Sequence, residues 1–133
     1  MIEVETSVRI RQPLQAVFAF MADTRNSSRW QIGMMRHALE TAITTFETDK
    51  QVGIKSTSGP FGFDALYYLE AFEEGTQITW TCRLYTGEPY CFVEALIGQV
   101  MTMETEVSFM ILTRLLEEQR TCGCYPVTFN RPL

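Results

Sequence analysis

Residues 59–84, GPFGFDALYYLEAFEEGTQITWTCRL, alternate apolar and polar side chains on either side of a short acidic turn, and a chain containing them must build a sheet. Phe63, Ala65, Tyr67, Leu69 and Ala71 share one parity of the first strand, and Ile78, Trp80, Cys82 and Leu84 share one parity of the second. Alternate residues of an extended chain point to opposite sides, so each strand presents one apolar wall. Glu73, Glu74 and Gly75 supply the reversal between them. Such a wall is either a core beneath a helix or the lining of a cavity.

The helix is encoded after Thr86, Gly87, Glu88 and Pro89, where the period changes from two to 3.6. Phe92, Val93, Leu96, Ile97, Val100, Met101, Glu104, Val107, Ile111 and Leu115 recur at spacings of three and four and predict one long helix lying on the sheet. Burying about eight of these side chains at ~1.5–3 kcal/mol each gives an upper figure on the order of 12–24 kcal/mol, too much to leave in water. Ahead of the hairpin, Ile2, Val4, Val8 and Ile10 alternate with Glu3, Glu5 and Arg9, which predicts a strand ended at Pro13. Leu14, Val17, Phe18 and Met21 then give a helix through Ala22, with Pro13 suited to its first turn. Asp23 or Thr24 caps a second short helical turn that leads to Trp30. Residues 42–47 and 51–56 read as two more strands around a turn at Thr48, Asp49 and Lys50, whereas residues 31–41 fit neither period. The layout predicts one domain over residues 1–120 and an irregular tail over residues 121–133.

Composition narrows the function. A net charge of −5 on 133 residues provides no basic face for a nucleic acid and disfavours an anionic membrane surface. There is no window of ~18 uninterrupted apolar residues, so no membrane span is expected. The alternating start has no basic region followed by an apolar run, and the four cysteines then read as reduced thiols of a cytoplasmic protein.

Residues 8–30, VRIRQPLQAVFAFMADTRNSSRW, resemble the opening of the START-like, polyketide cyclase/dehydrase (SRPBCC) superfamily: a strand, a proline, a Val-Phe on the first helix, an Asp, and a Trp closing the second. Residues 55–84 look like that family's last two strands, and with the long helix the resemblance covers most of residues 2–119. It implies an α+β helix-grip fold, a curved antiparallel sheet around a long C-terminal helix with a hydrophobic cavity between them. Members usually carry two further strands between the Trp-containing segment and the strand placed here at Ala42, so the sheet is expected to be incomplete. An unpaired edge invites a second chain, which makes a homodimer the expected association, with Leu66 and Tyr68 on the opposite face as candidate contacts.

Candidate site residues follow from the wall, the helix and the resemblance. Trp30, Phe63, Tyr67, Trp80, Leu84, Phe92, Leu96, Val100 and Met103 are candidates for lining the cavity, and a solid core would use the same residue types. Glu104 falls within the helix stripe, where desolvation raises a carboxyl's pKa toward acid–base use; a helix-edge carboxylate reaching water is the simpler reading. His37 is the only histidine and has no ligand set at metal spacing around it, so a surface position is the plain reading and no metal or other cofactor is expected. Cys122 and Cys124 have one residue between them, not the two of a redox or zinc pair. No nucleophile motif stands out, and residues 59–62 lack the lysine of a phosphate loop. The leading expectation is a binder of a small hydrophobic molecule, such as a lipid, polyketide or aromatic metabolite. The alternatives are a polyketide cyclase or dehydratase using Tyr67, Glu104 or Arg83, and an interaction module that uses the sheet edge.

Overall fold

A computed structural model describes residues 1–32, 41–57, 62–87 and 90–121. Five antiparallel strands form one sheet: β1 (Ile2–Ile10), β2 (Thr41–Glu47), β3 (Gln51–Ser56), β4 (Gly62–Phe72) and β5 (Gly75–Tyr85), in the order β1-β5-β4-β3-β2. Among the described residues, β1 and β2 are the open edges. The hairpin read from the sequence is its centre: Tyr67 pairs with Trp80, which in turn faces Thr6, while Val52 pairs with Tyr67 from the other side. Phe63, Ala65, Tyr67, Leu69, Ile78, Trp80, Cys82 and Leu84 are all buried, so the apolar parity is the inner face. Ala71, at the hairpin end, is exposed and does not belong to it.

Helix α1 (Leu14–Ala22) buries Val17, Phe18 and Met21. Asp23 caps the following 3-10 turn, its Oδ1 accepting from the Arg25 backbone N–H at 3.0 Å, and the single turn α2 (Ser27–Trp30) ends on the buried Trp30. The long helix α3 (Glu94–Thr121) follows a 3-10 turn at Tyr90–Val93. Thr86 fixes its start by donating from Oγ1 to Glu94 Oε2 at 2.6 Å. Gly98 permits its close approach to β1, because a Cβ there would lie 3.3 Å from Val4 Cγ1. Its far end is tied back by the Gln12 side-chain amide, which donates to the Leu116 carbonyl at 2.7 Å.

The stripe predicted for this helix is corrected in phase. Met101, Phe109, Leu112 and Leu116 are buried, together with Thr105 and Ser108, and Ile97, Ile111 and Leu115 pack at the margin. Phe92, Leu96, Val100, Met103 and Val107 face outward. Apolar residues surround the first two thirds of this helix, so periodicity establishes a helix without choosing its buried side. The choice is made by shape: Gly98 against β1, and Ser108, whose Oγ accepts from the Ile32 N–H at 3.0 Å, require that side to face in.

Candidate functional site

The best-formed cavity lies at the open end of the sheet, between α1–α2 and strands β2–β4, and has a volume of about 150 Å³. Met21, Ala22 and Trp30 form one side, and Ile43, Phe46, Val52 and Ile54 form the other, with the Tyr67 ring at the back. Thr24, Ser27, Gln31 and Thr41 supply polar groups around it. The lining is set locally. Met21 ends the buried face of α1, the cap at Asp23 turns the chain so that α2 aims Trp30 inward, and Val52 stands beside Tyr67 in the sheet register. Trp30 meets Tyr67 edge-to-face at 6.1 Å between centroids, and Tyr67 meets Phe109 of α3 likewise at 6.2 Å.

Two of the lining residues, Tyr67 and Trp30, carry buried polar atoms. Burial pushes the Tyr67 phenol far above its ordinary pKa, against the opposing effect of a hydrogen bond with the Gln31 side chain. The phenol therefore stays neutral across the physiological range, a donor and acceptor rather than a proton shuttle. Trp30 leaves its indole N–H buried with no hydrogen-bond partner among the described residues, and Trp80 does the same in the core away from the cavity.

Of the sequence-predicted residues, the structure brings Trp30 and Tyr67 to the cavity and the others elsewhere. Phe63, Trp80 and Leu84 are buried in solid core and do not line it. Phe92, in the 3-10 turn before α3, is 82% exposed and Met103 63%; with Leu96 and Val100 they face outward and do not line this cavity, Met103 bordering instead a shallow groove between α3 and β1. Glu104 is half-buried on α3 and outside the lining. Arg83 points from the opposite face of the sheet, donating to Glu3 at 2.9 Å. Leu66 and Tyr68 are half-buried on that face. His37, Cys122 and Cys124 lie outside the described residues. Ile43, Phe46, Val52 and Ile54 were missed as lining; Val52 and Ile54 share one strand parity, but Ile43 and Phe46 stand three apart and reach one face only through the register shift between Ile43 and Thr45.

Cys82, on the inner face, is also held neutral, its thiol pushed up to about 12 by burial first and the nearby Asp64 second. In the unfolded chain the thiol ionises near 9.0 and the phenol of Tyr67 near 10.0. Above those values the unfolded state binds fewer protons than the folded one, so stability must fall as pH rises. Urea unfolding is expected to give a constant free energy up to about pH 8.5, then a decline of up to about 1.4 kcal/mol per pH unit per group. Cys82→Ala should remove the earlier part of that decline.

No family model matches the sequence, and no curated protein matches it. Solved structures do resemble it. Protein MLL2253 from Mesorhizobium loti superposes with a TM-score of 0.71 at 12% identity, covering 88% of this chain and 98% of that one. The di-domain ARO/CYC BexL from the BE-7585A biosynthetic pathway gives 0.72 at 12% identity over 90% of this chain, which spans about half (48%) of that protein. CalU16 from Micromonospora echinospora gives 0.61 at 15% identity, over 91% of this chain and 83% of that one. The chain shares the helix-grip fold of these structures. Within that helix-grip frame, the cavity expected between sheet and long helix is displaced to the short helices. Trp80, Phe63 and Phe109 fill the expected space, and the remaining room lies under α1–α2.

Proposed function

We propose that the protein binds a small, single-ring apolar molecule carrying one hydrogen-bonding group, in the cavity between α1–α2 and β2–β4. The supporting observation is a small cavity walled by Met21, Ile43, Phe46 and Val52, with polar side chains at Thr24, Ser27, Gln31 and Thr41 and with Tyr67, whose hydroxyl is held neutral, among its lining residues. Size narrows the ligand class. Sites for drug-sized molecules run to roughly 300–1,000 Å³, whereas about 150 Å³ is the size of an apolar cavity that takes benzene. A phenol, aniline or similar single ring fits this volume, and a folded polyketide chain does not. A protonated phenol that holds its proton well above neutral pH favours binding over proton transfer.

Phenol, aniline and benzene, titrated by ligand-observed NMR and thermal shift, are expected to bind. Tyr67→Phe should weaken phenol roughly 2- to 10-fold, the worth of one net hydrogen bond, and leave benzene unchanged. Failure of all three probes to bind at millimolar concentration would overturn the proposal, as would equal loss of phenol and benzene in the variant.

A further inference from the structure

The outward side of α3 carries an apolar stripe that nothing in the described chain covers. Leu96, Val100, Met103, Val107 and Met110 are all exposed, at spacings of four, three, four and three, and Phe92 precedes them one turn earlier. This is a heptad seam, with Val100 and Val107 at a positions and Leu96, Met103 and Met110 at d. We propose that this face is the interface through which two copies of the chain pair, helix against helix.

Area, charge and shape favour a second copy as the occupant. At roughly 100 Å² per side chain of this size and exposure, the six residues present about 600 Å² of apolar surface. That is the upper end of what a monomer shows in its largest patch, and it approaches the ~800 Å² per partner of a standard interface. A two-fold axis makes one stripe its own complement. Valine at a with leucine or methionine at d suits a two-stranded seam, and the shallow groove beside Met103, floored by Ile2 and Val4, offers room for a knob from the opposing helix. In a parallel seam Gln99 comes opposite Glu104 of the second copy, and Glu106 opposite Ile111, so no glutamate faces a glutamate. Arg114 takes the next a position and ends the stripe.

A lipid surface is the rival. The helix Cys91–Glu118 is long and apolar enough to cross a membrane by composition alone. However, Met101, Phe109 and Leu112 commit one side of it to the core, and residues 91–113 contain no lysine or arginine but include Glu94, Glu104 and Glu106. An interfacial membrane helix carries the opposite charge on its polar side. The sheet edge, expected from the sequence to make the contact, offers less. On β2 only Ile43 and Phe46 are exposed large apolar residues, and both border the cavity.

Light scattering after gel filtration at micromolar concentration is expected to give twice the chain mass of 15.3 kDa. Met103→Glu with Met110→Glu, at two of the most exposed positions, should return the protein to the single-chain mass with its circular dichroism unchanged. Met103→Leu with Met110→Leu should hold the dimer to lower concentration, and this comparison decides the matter if the glutamate variant loses helicity. A wild-type protein of single-chain mass, a dimer indifferent to both pairs of substitutions, or a monomer that co-floats with phosphatidylcholine vesicles would each overturn the proposal.

Discussion

Trp30→Ala is expected to lower the unfolding free energy by about 3–5 kcal/mol and to shift the cavity's preference from one ring to two. Trp30 is 1% exposed and stands where α2, β4 and α3 meet. Its ring lies edge-to-face with Tyr67, which lies edge-to-face with Phe109, so the three aromatics link the short helices to the sheet and the sheet to the long helix. Removing the first leaves Tyr67 without a neighbour on one side, and a void in a close-packed interior loses its contacts outright. Against a total stability of roughly 5–15 kcal/mol, the change is at least about a fifth of the whole. It should appear as a lower urea midpoint at an unchanged slope. The void also adjoins the cavity, so naphthol should gain affinity while phenol loses it. A midpoint close to wild type would mean that Trp30 is not buried as described, and naphthol binding no better would place the ligand elsewhere.

How much of this was legible beforehand differs between fold and site. Both hairpin strands, β1, α1, the Asp23 cap and the long helix were readable because each is written in local periodicity, which the backbone converts directly into element type. The side of α3 that turns inward was not. With Val100, Met103 and Val107 on one side and Met101, Phe109 and Leu112 on the other, hydrophobic pattern offers two candidate buried sides. The decision rests on steric facts of the assembled fold, namely the Gly98 approach to Val4 and the Ser108 bond to Ile32. The two residues named from the sequence that border this cavity, Trp30 and Tyr67, are large aromatics on elements whose phase the local pattern sets. The four missed on β2 and β3 line a site only because the sheet leaves that end open, with α1 and α2 standing over it. Phe18 and Phe46, edge-to-face at 5.5 Å, show that contact being made across 28 residues of chain.

At the opposite end of the sheet, Gly75→Ala is expected to cost about 3 kcal/mol or more, large for a single methyl group. An ideal Cβ at Gly75 would lie 2.1 Å from the Ile10 carbonyl oxygen, 2.9 Å from Arg11 Cα and 3.0 Å from Gln12 N. All three are backbone atoms of the corner where β1 leaves the sheet for α1, so no rotamer change relieves the clash and the corner itself must move. That corner is a junction. Thr76 Oγ1 donates to the Gln12 carbonyl at 2.9 Å, the Gln12 amide donates to the Leu116 carbonyl, and the Arg11 N–H donates to Glu117 Oε2 at 3.1 Å. Displacing it strains or breaks three hydrogen bonds worth about 1 kcal/mol each, in addition to the distortion. Gly87→Ala is the control: among the described residues beyond its chain neighbours nothing stands within 4 Å of the added carbon, and the change should stay within about 0.5 kcal/mol. Equal midpoints for the two variants in urea would refute the crossing at Ile10. Because the cavity lies at the β2–β3 end, Gly75→Ala should leave the affinity for phenol unchanged at temperatures where the variant is still folded, separating what holds the long helix down from what holds the ligand.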